Sequence, residues 1–588
     1  MKTLNNILLA GLLVVSSACS DFLDPKPLSF YTPEDIYVDK AGMETVLVTL
    51  RRGLRNEYYG SHKLMCVEHY ASDLAICTGE NMEIHNWNTQ VTPTVKSSDV
   101  NDGPQILPNY FVLAYEQIRN ANTIISRIDK TKWDSEKDRN EILAEAYFHR
   151  AYWYYRLVHQ FGDVPFLGEE YSTPKIDFCT YTRQAILNKI QSDLEFAVKW
   201  LPEDVNQGKV NRAAGNHLLT KVYLANCQFQ KAVESASQVI DGGRYALMTE
   251  RFGSVAGDTK YNVIWDLHQV ENKSLAENKE GILVVQDKYG YPDASTGGTN
   301  SMRDYVPFWC HGSYLKDPDG LSGMVQTLFD PQLMALGRGV GIVKPSPYSN
   351  FEIWGNCGAD LRHDTTVNWM PREKILYNNK DSKYYGTPVQ IQYSNPRDTL
   401  RAYYEWPHYK IYVPDQPTVG QPVGGNGDWY VFRLAETYLL RAEAYCWLNE
   451  KDKAAADINK VRERAKAPQI ESTQVSIDMV LDERARELFA EEPRKTELTR
   501  IAFIMATQHL NGYSLENFSE KNYWYDRIME KNLYNKGYEW GANAYEISPY
   551  HVLWPIPQEV IDANTGAVIN QNKHYPGYEK NVDPKTEI

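Results

Sequence analysis

After its first residues, the 588-residue sequence has no apolar run approaching the roughly 18 residues that a membrane-crossing helix needs. Positive charge is also short. The 62 Lys and Arg against 76 Asp and Glu leave a net charge of −14. No basic stretch offsets this, so phosphate backbones are repelled and nucleic-acid binding is excluded as a function class. Cysteine is sparse and scattered, at Cys19, Cys66, Cys77, Cys179, Cys227, Cys310, Cys357 and Cys446, with no C-x-x-C. That spacing is no disulfide framework for so long a chain. Buried free thiols are the default, with Cys66–Cys77 the one bridge to consider.

Catalytic signatures are missing too. There is no G-x-S-x-G, H-E-x-x-H or P-loop. Gly337–Gly341 is glycine-rich but lacks the Lys-Ser/Thr that follows a phosphate cradle, so it reads as a turn. Asp317-Pro318-Asp319-Gly320 lacks the ligand series of a Ca²⁺ loop and also reads as a turn. Glu483 and Glu487 lie one helical turn apart, as a general-acid pair might. Arg484 and Arg486 beside them favour a solvated, ion-paired helix face instead. His363 next to Asp364 has no nucleophile in view. No enzymatic chemistry is indicated.

What is present begins at the N-terminus. Lys2 precedes the apolar run Ile7–Val15, and Ser16-Ser17-Ala18 lead into Cys19. This is the layout of a secretory signal peptide over 1–18, too short to span a bilayer. Cys19 stands where the apolar run ends and the chain turns polar, the position at which a lipoprotein thiol is acylated. The acyl chains would then be the only membrane attachment. Ser16 departs from the leucine-like residue usual at that place.

Tyrosine and tryptophan are abundant, 41 and 14 against 17 phenylalanines. Their rings offer a flat apolar face with a polar handle, which suits wet, polar ligands such as sugars or peptides. Three stretches carry helical periodicity: 142–160, the pair within 213–240, and the pair within 431–465. The first stops at Phe161-Gly162-Asp163-Val164-Pro165. The other two share a pattern, with Leu218-Leu219 and Leu439-Leu440 before a tyrosine, a polar turn and an alanine-rich return helix. Small alanines at a helix crossing are the logic of tetratricopeptide-type repeats. From 251 to 430 the helical signal fades and Gly and Pro become frequent. Only Gly281–Gln286 reads as a strand. This is expected to be a loop-rich region packed on a helical scaffold, where binding surfaces usually lie. Trp153, Trp265 and Trp554 sit in patterned or apolar stretches and are expected in the core.

Several blocks, in order, resemble the SusD/RagB family of surface lipoproteins. They are Cys19-Ser20-Asp21-Phe22-Leu23-Asp24-Pro25, Tyr115–Ile125, Ala144–Tyr152 running on to Phe161–Pro165, Arg433–Tyr445 with Asn459–Ala465, and Leu481–Leu488. Trp554-Pro555-Ile556-Pro557, Asn570-Gln571-Asn572 and Gly577-Tyr578 complete the set. Glu492-Pro493-Arg494 departs from the Glu-Gly-Arg common in the family, which should alter a turn and not the fold.

The resemblance implies an all-α, tetratricopeptide-like scaffold with a large irregular insertion. Its parts would be an N-terminal region over 19–250, a loop-rich ligand-binding region over 251–430 and a C-terminal region over 431–588. It implies a lipoprotein on the outer face of the outer membrane that captures an oligo- or polysaccharide. Its partner would be a SusC-like TonB-dependent transporter, with no bond broken, no cofactor required and a structural Ca²⁺ left open. Asp73 and Trp87 resemble the family's acidic and aromatic contacts, and Tyr289, Tyr291 and Trp309 lie in the middle loops that complete the site. The alternative is a peptide-import lipoprotein of the RagB type. A glycoside hydrolase would need two converging carboxylates at a set separation, to which nothing points.

Overall fold

The computed structural model describes residues 36–60, 63–79, 84–98, 103–391 and 398–588. The expected signal segment 1–18 and the expected acylation site Cys19 lie outside them. The N-terminal helices are α1 (Lys40–Gly53), α2 (Leu64–Tyr70), α3 (Ile106–Arg127), α4 (Glu136–Gln160), α5 (Arg183–Trp200), α6 (Arg212–Ala225) and α7 (Phe229–Ile240). The C-terminal ones are α8 (Leu434–Trp447), α9 (Lys451–Arg464), α10 (Ile477–Leu488), α11 (Arg494–Thr507) and α12 (Tyr523–Lys531). From α3 to α9 each helix packs on the next, including α7 on α8 across the intervening two hundred residues. This continuous stack is the expected all-α repeat scaffold.

Local signals set these helices. In α4 the Ser135 hydroxyl caps the start by accepting the Asp138 N–H at 3.1 Å, with Glu136 and Asp138 in the positive-ended first turn. The helix ends before Gly162, whose φ is +71° and whose added Cβ would lie 2.8 Å from Leu553. Only glycine fits there without strain. From Phe148 to Gln160 every residue of α4 is buried, because α3, α5 and α11 cover it on several sides. The two repeated hairpins turn the same way: Cys227 (φ +54°) between α6 and α7, Asn449 (φ +58°) between α8 and α9.

Between Gly257 and Gly427 no described helix exceeds six residues. Two small antiparallel sheets fasten this region to the scaffold. β1 (Ala75–Cys77) pairs with β3 (Val343–Pro345), and β2 (Gly281–Val285) pairs with β4 (Trp429–Arg433). The expected strand at 281–286 is β2. The expected helix from Val431 begins only at Leu434, because Trp429–Arg433 is a strand buried on both faces. One hydrophobic cluster runs from Leu54 to Tyr575 through all three regions and includes Trp153 and Trp554; Trp265 is buried in a smaller cluster. Cys66 and Cys77 are buried and not joined to each other. Among the described residues no helix is long and apolar enough to cross a membrane.

The core also holds an extended ion network. Arg433, fully enclosed, reaches Glu280 and Glu487 at 2.6 Å and Glu491 at 2.8 Å. Glu483 lies 2.8 Å from Arg362, 2.6 Å from Arg462 and 2.8 Å from Arg486. The Glu483–Glu487 face is therefore not solvated, as its arginine neighbours suggested. Both carboxylates are in the interior, and guanidiniums from several elements compensate them.

Candidate ligand-binding site

The five residues singled out as ligand contacts separate into two groups. Asp73 is fully buried just after α2. Arg494 donates to both its oxygens, at 2.8 Å each, and Arg527 Nε to Oδ2 at 2.7 Å. Burial pushes the carboxyl up, but the two guanidiniums outweigh it and hold it well below the usual carboxylate range. No oxygen is left to meet a sugar hydroxyl. Trp87 is 0% exposed: its indole N–H donates to the Tyr534 hydroxyl at 3.2 Å, and its ring packs against Tyr70 and His551. The polar neighbours that suggested a loop are structural. Asn86 caps the single turn Trp87–Gln90 and donates to Glu546 at 3.0 Å, while Asn88 Oδ1 accepts from Ser548 at 2.7 Å. Trp309 is likewise 0% exposed and donates to the Gly337 carbonyl at 3.1 Å. These three are interior residues, and none presents a ring face or carboxylate to solvent.

Tyr289 and Tyr291 stand in the opposite condition, 65% and 63% exposed. Neither ring stacks on another aromatic among the described residues. Their turn is fixed from below. Arg55 Nη1 donates to the Asp293 carbonyl at 2.5 Å and Nη2 to its carboxylate at 3.2 Å. Buried Asp287 accepts from the Ser295 N–H at 2.8 Å and from Asn426 at 2.8 Å. Gly60 N–H donates to the Gly298 carbonyl at 3.1 Å. Exposed rings on a pre-ordered turn lose little entropy when a ligand settles on them.

The same turn supplies Asp293, Ser295 and Thr296 to an open cleft of about 360 Å³, whose other wall is Thr49, Arg52, Gly53, Arg55, Asn56, Tyr59, Gly60 and Gln117. Gly53 closes α1 beside α3, where an added Cβ would lie 2.1 Å from Gln117 Oε1; glycine is what lets Gln117 reach the cleft floor. Tyr289 and Tyr291 do not line this cleft but precede its Asp293 in the same turn; the guanidinium, amide and hydroxyl groups can fix sugar hydroxyls, and the open phenol rings can stack a sugar face. The residues from α1 and α3 were missed in the sequence. The one local signal was the break in helical period at Arg52-Gly53-Leu54-Arg55-Asn56.

Nothing at the acidic pair suits proton transfer. Burial raises both carboxyls, yet their arginines hold Glu483 down to about 2 and Glu487 lower still. A general acid needs the opposite shift. Asp317 Oδ1 accepts the N–H groups of Asp319 and Leu321 at 3.0 Å each, which makes Asp317–Gly320 a closed turn. His363 packs against Trp354 and Trp369. Among the described residues no cluster of three or more His, Cys, Asp or Glu could hold a metal ion.

Residues 320–578 match the SusD family, and residues 21–224 match a family described as starch-binding and associating with the outer membrane. This chain belongs to the SusD/RagB family. A SusD-like protein of Formosa agariphila is 24% identical over 96% of this chain and 97% of its own length. The starch-binding protein SusD of Bacteroides thetaiotaomicron is 24% identical over 76% and 75%. Among solved structures, a laminarin-binding SusD-like protein superposes with a TM-score of 0.59 at 20% identity, covering 92% of this chain and all of the other. Surface glycan-binding protein A from Bacteroides thetaiotaomicron, in complex with laminarihexaose, gives 0.57 at 15%, covering 90% and 98%. At these identities the superpositions establish a shared fold.

Proposed function

We propose that this chain is an outer-membrane lipoprotein that binds an oligo- or polysaccharide on the Tyr289–Tyr291 face and passes it intact to a SusC-like TonB-dependent transporter. The observation that carries the reading is the exposed tyrosine pair on a braced turn whose following residues, Asp293, Ser295 and Thr296, line a polar cleft. The fold shared with proteins named for laminarin and glycan binding supports it. Cys19 is the proposed acylation site, which would tether the mature chain to the membrane while the loop-rich region faces outward. Binding here uses stacking and hydrogen bonds and asks for no shifted acid or base.

Affinity electrophoresis of the mature protein in gels cast with laminarin, starch, xylan, mannan and pectin tests this. At least one glycan should retard the wild type, and Y289A/Y291A should run unretarded in the same gel. Retardation by none, together with calorimetric binding of mixed peptides, would instead favour the peptide-import reading. Release of reducing ends from the bound glycan would contradict the non-catalytic role. Co-purification with an outer-membrane barrel from the native host tests the transporter partnership.

A further inference from the structure

A second and larger cleft, of about 870 Å³, opens at the start of α5 and shares no residue with the cleft lined by Arg52, Arg55 and Asp293. Arg183, the first residue of that 18-residue helix, lines it and is only 7% exposed. Among the described residues no carboxylate pairs with its guanidinium, whereas the other deeply buried arginines named above each have one or more.

Its few contacts are neutral. Nη2 donates to His159 Nε2 at 3.0 Å. His159 Nδ1 meets the Tyr155 carbonyl at 2.7 Å, so the ring carries its proton on Nδ1 and offers Nε2 as acceptor. Burial, then the Arg183 charge, keep that imidazole neutral. The guanidinium carbon lies 4.0 Å from the Phe503 ring centre, and Phe503 stacks on Phe518. Nε is enclosed with no partner. Burial, only partly offset by Cys227, Tyr155 and the Asp163 carboxylate, draws Arg183 down to about 10, so it is still a cation at neutral pH. A buried guanidinium without a directly paired carboxylate is costly, and one oxyanion would relieve it through charge-assisted hydrogen bonds.

We propose that this cleft is a second ligand site, seating one small oxyanion against Arg183 at the positive end of α5. The chemistry is that of a carboxylate or a sulfate ester, as acidic sugars carry. Asp163, Glu516 and Asp583 also line the cleft, and Lys573 is occupied by Glu520. Asp163 Oδ1 accepts the Arg183 backbone N–H at 2.7 Å and makes no ion pair with the guanidinium. The cleft as a whole is not basic, so it selects a single anionic substituent and rejects a polyanion. Tyr550, Asn572 and Tyr578 on the same walls provide ring edges and amide dipoles for whatever carries the charge. The assignment stands independently of the glycan reading of the Tyr289–Tyr291 face.

Calorimetric titration of the mature protein with glucuronate, glucose 6-sulfate, inorganic sulfate and neutral glucose tests it. Expected are millimolar binding of at least one anion, none of glucose, and a loss of roughly tenfold or more in R183Q with partial recovery in R183K. Tighter binding of the sugar-borne anions than of sulfate assigns the site to an acidic glycan. Equal binding assigns it to a free oxyanion. As a readout independent of folding of the variants, the bound anion should protect Arg183 of the wild type from dicarbonyl modification, scored by peptide mass. Equal anion binding by wild type and R183Q, or no anion protecting Arg183 at about 50 mM, overturns the proposal.

Discussion

Replacing Asp73 by alanine removes the carboxylate that the enclosed Arg494 and Arg527 share. Arg494 would keep only the Glu492 carboxylate, at 3.3 Å, and Arg527 would turn wholly to Asp478 and Asp482 at the surface edge, at 2.7 and 2.8 Å. Breaking a buried pair from one side costs about 3–5 kcal/mol, since the remaining charge is desolvated without its partner. Asp73 also joins α2 to α11 and α12, so the loss is felt across the scaffold. For a chain of this size melting as one unit, that corresponds to a Tm lower by about 3–4 °C. Differential scanning calorimetry of D73A against wild type reads it, with D293A as an exposed control expected near zero. D73A/R494M should recover part of the deficit, because the orphaned cation goes as well. A D73A protein that melts with the wild type yet loses glycan binding would refute the interior role and return Asp73 to the ligand surface.

Trp87→Ala should cost about 3–5 kcal/mol by denaturant titration, while its folded fraction keeps the wild-type glycan affinity. Y289A/Y291A should do the reverse: a Tm within about 1 °C of wild type and an affinity at least roughly tenfold weaker by calorimetry. Stability should fall on mild acidification. Burial lowers His69 and His551 to about 3, and His85 and His408 to about 4, so in the fold they stay neutral where the unfolded chain takes up protons. Their contribution is complete above about pH 6.5 and is lost as pH falls below it, at up to about 1.4 kcal/mol per pH unit for each histidine. A second, steeper loss below about pH 4.5 follows from the arginine-held carboxylates Glu145 and Glu483, both near 2. A melting temperature flat from pH 7 to pH 4 would contradict this.

The helical scaffold was legible because its signals are local, an apolar period and a stop at Gly162; the Ser135 cap, which starts α4 at Glu136 ahead of the expected 142, went unread. β4 was not, since a strand buried on both faces shows no alternation, and Trp429–Arg433 runs straight into the α8 pattern. Asp73 and Trp87 were misread for a related reason. The partners that enclose them, Arg494 and Tyr534, are more than 400 residues away along the chain. The asparagines around Trp87 are polar because they cap and brace, not because water reaches them. Glu483 and Glu487 looked solvated because charge on a helix usually is; apart from Arg486, the arginines that admit them to the interior, Arg362, Arg433, Arg462 and Arg464, lie outside their own helix. Tyr289 and Tyr291 are exposed, as aromatics on a Gly- and Pro-rich turn with no core within reach should be; Arg52, Arg55 and Gln117 come from helical stretches whose only sign of a cleft was the broken period at Arg52–Asn56.

The most direct measurement is hydroxyl-radical footprinting of the mature protein with and without the glycan that retards it in gels. Protection should concentrate on Tyr289 and Tyr291, leaving the enclosed Trp87 and Trp309 unchanged in both states. Full reactivity of both tyrosines in the saturated complex, with protection appearing elsewhere, would contradict the account.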